Sequence, residues 1–88
     1  LVGFLAYFKI SKHVYRILYV IVDQDYRKQG IAKQLVHYGV SDCVKRGALK
    51  VILFTRSNNF KAQTMYKKCG SKIIETDEIG VWMSWNKL

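Results

Sequence analysis

The residues best suited to chemistry are the six that read Arg27-Lys28-Gln29-Gly30-Ile31-Ala32. They stand where a β-branched run, residues 14–22 (VYRILYVIV), ends and an amphipathic helix begins. The first amides of a helix have no partner of their own and carry partial positive charge, so they hold phosphate well. Gly30 puts no Cβ between the backbone and an anion, and Ala32 is nearly as small. Arg27, Lys28 and Lys33 add side-chain charge around the same point. The pattern predicts a phosphate-binding loop; the alternative is an ordinary helix start with solvated lysines.

Other chemistry is sparse. His13 and His37 stand alone, and Cys43 and Cys69 lack metal-ligand spacing, so no metal site is expected. The two thiols are expected reduced and buried, as in a cytosolic (cytoplasmic) protein. Fifteen Lys and Arg against six acids give a net charge of +9. Such a charge draws phosphate-bearing cofactors, nucleic acid, acidic proteins or membrane surfaces, and by itself does not choose among them. Half of the 88 residues are apolar and 14% aromatic, which excludes disorder and predicts one small domain. A chain this short buries roughly 60–65% of its unfolded surface. Its longest nearly apolar runs, about eight residues, fall well below the roughly 20 of a membrane helix. No signal-peptide pattern opens it, and its first residue, Leu1, enters as if mid-strand.

The elements that must position the loop follow from periodicity. Residues 2–9 (VGFLAYFK) and 14–22 predict two strands in an antiparallel hairpin, turned at residues 10–13. Ile31, Ala32, Leu35, Val36, Gly39, Val40, Cys43 and Val44 form one apolar helical face, with Gly39 letting the helix sit close to its support. Gly47, after Lys45 and Arg46, ends that helix. Residues 49–55 (LKVILFT) read as a continuously buried parallel strand, so that residues 14–55 make a right-handed strand–helix–strand crossover. Ser57, Asn58 and Asn59 offer caps for a second helix with Ala62, Met65, Tyr66 and Cys69 inward and Gly70 at its end. Residues 72–75 and 81–85 are two further short strands about the turn 76–80. The order is ββαβαββ, a mixed α/β fold.

Arg27-x-x-Gly30-x-Ala32 after a strand resembles the acyl-CoA signature, Q/R-x-x-G-x-G/A, of the GNAT N-acetyltransferase superfamily. Residues 22–35 (VDQDYRKQGIAKQL) resemble its strand–loop–helix segment. Asn59-x-x-Ala62-x-x-Met65-Tyr66-x-Lys68-x-Gly70 is similar to its second signature, N-x-x-A-x-x-L-Y-x-K-x-G-F, and the final WMSWNKL is also typical. Gln24 stands where the family usually has Pro, and Ser71 where it has Phe. The family's N-terminal strand and two helices, much of its acceptor wall, have no counterpart in these residues.

The resemblance implies a GNAT-like α/β (mixed α+β) sheet forming one acyl-CoA N-acyltransferase domain over residues 1–88. It implies direct transfer of acetyl from acetyl-CoA to a primary amine of a small molecule or protein. Val20, Ile21 and Val22 would lie on a strand that splays from its neighbour, pairing with the pantetheine arm and polarising the thioester. An amide aimed at a developing oxyanion contributes about 2.7–4 kcal/mol elsewhere. The amides of Lys28, Gln29, Gly30, Ile31, Ala32 and Lys33, with Arg27 beside them, would cradle the pyrophosphate. Asn59 would contact the cofactor arm, with Lys68 in the same set. Tyr66 matches the family's frequent general acid for the departing sulfur, against the alternative of core packing. An alkylamine with pKa near 10.4 carries a handicap of roughly 4–5 kcal/mol at neutral pH unless a base removes its proton. Relatives often use a strand Glu for this. No acid occurs in residues 15–22 or 51–55, where Arg16 and Phe54 take the plausible positions; Glu75, Asp77, Glu78, His13 or an ordered water remain. Tyr7, Tyr15, Tyr19, Trp82 and Trp85 either line an acceptor groove or pack in the core.

Three readings compete with this one. A basic GNAT could acetylate aminoacyl-tRNA, a GNAT-like module could hold CoA or a partner with little or no catalysis, and an interaction protein could use no cofactor. A homodimer paired through edge strands is a further expectation, whereas a membrane partner is not expected.

Overall fold

The computed structural model describes residues 2–26 and 30–86. Aromatic and β-branched residues carry β1 (Gly3–Ser11) through a two-residue turn at Lys12 and His13 into β2 (Val14–Val22). A single 3-10 turn, Gln24–Tyr26, follows, and then α1 (Ile31–Lys45), β3 (Lys50–Arg56), α2 (Phe60–Lys68), β4 (Lys72–Thr76) and β5 (Gly80–Asn86). The five strands form one sheet in the order β1-β2-β3-β5-β4. Only β2 and β3 run parallel, joined by the crossover through α1. The predicted ββαβαββ order is the one observed.

Both helices lie on one face of the sheet. The core forms beneath them from Tyr15, Ile17, Val36, Val51, Leu53 and Met83, with Trp85 closing it toward α2. α1 comes down on β1 where Gly39 leaves room for the Leu5 side chain. The Tyr7 hydroxyl donates to the Asp42 carboxylate, and Arg46 Nε pairs with the same carboxylate at 3.2 Å. The hydrogen bond to Asp42 raises the Tyr7 phenol above its ordinary pKa. The Asp42 carboxyl is lowered by Tyr7 first and by Arg46 second. Cys43 is fully buried and burial pushes its thiol up to about 11; Cys69 is half-buried, and both are free cysteines. Among the described residues no helix is long and apolar enough to cross a membrane.

Three details of burial differ from expectation. β3 is not buried on both faces: Val51, Leu53 and Thr55 point under the helices, whereas Ile52 and Phe54 are only half-buried on the other side. The cause is that α1 and α2 share one face, so the alternate residues of every strand are left to the open one. Leu49 falls in the turn before β3 and is exposed, and Val44, at the far end of the apolar stripe of α1, is exposed as well. Tyr15 and Trp85 belong to the core; Tyr19 and Trp82 belong to the open face, where Phe4 stacks edge-on to Tyr19 with ring centroids 5.6 Å apart.

Gly80 begins β5 opposite Arg56, where the backbones are too close for a side chain. A Cβ there would meet the Phe54 ring and would lie 2.5 Å from the Thr55 carbonyl oxygen. Gly80→Ala is therefore expected to destabilise the fold by about 1–3 kcal/mol, as overpacking does. Thermal unfolding would show this as a fall of about 4–8 °C per kcal/mol for a domain this small; an unchanged midpoint would contradict the close approach.

Candidate functional site

The site begins with a break in strand pairing. β2 pairs with β3 only from Val14 opposite Lys50 to Ile17 opposite Leu53. Beyond those pairs both strands continue, β2 to Val22 and β3 to Arg56, but they no longer pair with each other. Their outer edges stay occupied: β1 follows β2 to Val22, and β5 follows β3 along its whole length. The cause is local. Ala6 faces Tyr19 and Tyr7 faces Ile17, so Leu18 is an extra residue in β2. A bulge of this kind bends and twists its strand, and here it turns β2 away from β3. The result is a wedge open at the C-terminal ends of the two parallel strands, where ligands of α/β sheets commonly bind. Val20 and Val22 are half-buried and Ile21 is exposed on its β2 wall.

Two helix N-termini arise from that same end of the sheet. α1 starts from Gly30, which caps it at φ 75°, in the left-handed region, without a side-chain cap. The helical ladder opens with Gln34 N–H donating to the Gly30 carbonyl at 3.1 Å. The amides of Ile31, Ala32 and Lys33 precede it and have no side-chain acceptor among the described residues. Among the described residues nothing lies within 4 Å of where a Gly30 Cβ would be. A side chain would find room here, so it is the backbone angle that selects glycine. Lys33 is exposed, and its charge reaches across to α2, slightly opposing the rise that burial imposes on the Cys69 thiol. Arg27, Lys28 and Gln29, expected beside Gly30, lie outside the described residues.

α2 starts from Asn59, whose side-chain oxygen accepts from the Ala62 amide at 3.2 Å. Of the three expected caps, Asn59 is the one used. Gln63 was not singled out from the sequence. It is buried, and its side-chain amide donates to the carbonyls of Arg56 and Ser57 at 3.1 and 3.2 Å. These bonds tie α2 to the end of β3 and so hold Asn59 beside the wedge. A glutamine one place from an apolar helical face is the only trace of this in the sequence.

Tyr66 lies half-buried on the inner side of α2, edge-on to Trp85 with centroids 6.4 Å apart. Burial, and secondarily the neighbouring Cys69, push its phenol above the ordinary value, so it is fully protonated at neutral pH. No hydrogen-bond partner for its hydroxyl occurs among the described residues. Ser71 is buried, and its hydroxyl and amide both bond to the Tyr66 carbonyl, at 2.8 and 3.1 Å. The serine thus replaces an apolar contact by closing the end of α2. Lys68 is exposed at the last position of α2, the other end of the helix from Asn59, so the two are not brought together there.

The base candidates separate by position. His13 is in the β1–β2 turn, its Nδ1 at 3.2 Å from the Gly47 carbonyl, at the opposite end of β2 from the wedge. The Asp77 carboxylate accepts the amides of Ile79 and Gly80, both at 2.8 Å, and builds the β4–β5 turn. Glu75 pairs with Trp82 on the edge strand and is exposed. Neither wall of the wedge carries a carboxylate. Among the described residues no group of three or more His, Cys, Asp or Glu is suited to a metal ion.

The sequence model of the acetyltransferase (GNAT) family matches residues 1–71. The mycothiol acetyltransferase of Corynebacterium efficiens is 35% identical over 75 residues, 85% of this chain but 25% of that protein. The crystal structure of Ard1 from Thermoplasma volcanium superposes with a TM-score of 0.86 at 31% identity, covering 99% of this chain and 64% of its own. A Bacillus subtilis acetyltransferase solved in complex with CoA superposes at 0.89 and 22% identity, covering 100% of this chain and 70% of its own. The chain thus spans a quarter of the first relative's length and under two thirds of the second's.

The cap and any ligand role of Asn59 are separable. Asn59→Ala is expected to cost about 0.5–2 kcal/mol of stability by loss of the cap. Asn59→Asp keeps the accepting oxygen and places negative charge at a helix N-terminus, so chemical denaturation should show near-native stability. Equal losses in the two variants would contradict the capping assignment.

Proposed function

The chain belongs to the acetyltransferase (GNAT) family, and from that premise we propose that it transfers acetyl from acetyl-CoA directly to a primary amine. The observation that carries the proposal is the wedge between β2 and β3, which opens beside an uncapped helix N-terminus. A pantetheine-like arm needs a strand edge released from its neighbouring strand, which β2 offers beyond Ile17, and a pyrophosphate needs amides aimed outward; the two stand next to each other.

In this reading residues 1–88 work as one acyl-CoA N-acyltransferase domain. The backbone of Val20, Ile21 and Val22 pairs with the cofactor arm and faces the thioester carbonyl. The amides of Lys28, Gln29, Gly30, Ile31, Ala32 and Lys33 take the pyrophosphate, with the Arg27 charge nearby. Asn59 donates from the start of α2, and Lys68 serves farther along the cofactor. The two free cysteines suit a reducing, cytoplasmic setting.

The amine nitrogen bonds to the acetyl carbon, the C–S bond breaks, the amine proton passes to water and the sulfur takes a proton. Tyr66 is the donor. Its phenol, raised further by burial, is a weaker acid than a thiol of pKa about 8.5, so complete transfer to the thiolate is uphill. Its contribution is a hydrogen bond to charge building on sulfur, near the low end of general-acid effects, about 10²-fold. The amine meets no carboxylate on either wall of the wedge, so its deprotonated fraction sets the rate.

Calorimetric titration with acetyl-CoA is expected to show micromolar binding that Gly30→Glu abolishes in a protein that remains folded by circular dichroism. Tyr66→Phe should bind normally and lose about 10²-fold in kcat. No binding by the wild-type chain, or unaltered binding by Gly30→Glu, would reject the cofactor site.

The pH profile tests the missing base. kcat/KM should rise about tenfold per pH unit from 7 toward the acceptor's own pKa, near 10.4 for an alkylamine. Burial holds the Tyr66 phenol above its ordinary value, so it stays protonated through the neutral part of that range, where the slope is read. A plateau beginning below about pH 8 would reveal a base on the protein.

A further inference from the structure

The sheet face away from the helices holds a charged side chain without a counter-ion among the described residues. Arg16 lies on β2, one residue before the last pair that joins β2 to β3. Its cross-strand row runs from Phe8 on β1 through Arg16 to Ile52 on β3 and Ser84 on β5. Residues paired across a sheet share a face, so all four belong to the open side. The guanidinium carbon stands 4.9 Å from the centroid of the Trp82 ring. That contact confirms the face independently, since Trp82 is two residues from Ser84 along β5.

Two polar groups in this row have no partner among the described residues. Arg16 Nε is buried and makes no hydrogen bond, and neither does the hydroxyl of Ser84, which is 1% exposed. The acid nearest in register on this face is Glu75, across from Trp82 on the edge strand, and it makes no ion pair with Arg16. A guanidinium is always charged and offers a planar fork of donors matched to a carboxylate. Trp82 and Phe54, packed with centroids 5.1 Å apart, provide an aromatic floor that weakens competition from water.

We propose that Arg16, backed by Trp82, binds the carboxylate of the acceptor, making the acceptor an amino-carboxylate: a primary amine carrying its own anion. Arg16 anchors the acceptor by its acid end and leaves the amine directed along β2 into the wedge. The amine's role rests on the acetyl-transfer reading; the carboxylate site does not.

The test compares 5-aminopentanoate with its carboxamide, which differ only in the anion. Binding is followed by the Arg16 Nε–Hε resonance, assigned with Arg16→Gln, and by tryptophan fluorescence. The acid is expected to bind at least tenfold more tightly than the amide and to shift the Arg16 resonance. Arg16→Gln should remove the preference and Arg16→Lys should retain part of it, both at unchanged acetyl-CoA affinity. Equal binding of acid and amide by the wild-type protein overturns the proposal, with no variant needed. So does a preference that survives in Arg16→Gln. Acetyl transfer to both compounds with equal kcat/KM also overturns it. A carboxylate preference in a protein that neither binds acetyl-CoA nor turns over upholds the Arg16 site and rejects the transferase reading alone.

Discussion

The extra residue in β2, Leu18, is the constraint on which the rest of the molecule depends. A regular β2 would pair with β3 along its full length and leave no edge for a ligand. The bulge ends that pairing at Ile17 and Leu53 without dissolving either strand, because each is held from its other side. Unpaired backbone is tolerated only where water or a ligand can reach it. The break must therefore fall at an open end of the sheet, and it does. α1 and α2 both set out from that end, so their exposed amides converge on the opening.

Placing both helices on one face has two consequences. The core is single-sided, and its density comes from alternate residues of β2, β3 and β5 together with Val36 and Cys43. The opposite face keeps aromatic and aliphatic residues, with Tyr19 at 45% and Ile21 at 46% exposure near the wedge. An apolar surface of this kind raises the strength of any ionic contact formed on it. That is why an arginine beneath Trp82 has more weight than one of fifteen cations on a basic surface.

Much of the architecture was legible in the residues. Periodicity located every strand and both α-helices, because strand and helix periods differ enough to be told apart even in short runs, whereas the 3-10 turn Gln24–Tyr26 read only as a polar break. Gly30 was legible as a position with open space, although its left-handed angle was not. What periodicity cannot show is which elements cover which face. Ile52 and Phe54 read as buried because they interrupt no apolar run, yet no helix covers them. Gln63 was missed for a related reason: a buried amide is recognised by its partners, and the carbonyls of Arg56 and Ser57 become partners only once α2 packs against β3. The residues around the wedge were found through a likeness of motifs, while the wedge itself came from a register shift that leaves no pattern in the sequence.

The division of labour in the site explains how so few side chains suffice. The proposed anion grip and the proposed arm pairing both use backbone groups, which any sequence with the same bulge and the same helix start provides. Side-chain identity matters at Gly30, where the left-handed angle disfavours other residues, at Asn59, which caps α2, and, for the proposed transfer, at Tyr66. A thioester is already activated, so the chemistry asks for alignment more than for strong acids and bases. The frame itself tolerates wide sequence divergence, since the same fold recurs at 22% identity. On the Arg16 proposal, variation in acceptor choice is left to the open face, where a single substitution on β2 would change what docks without disturbing the wedge.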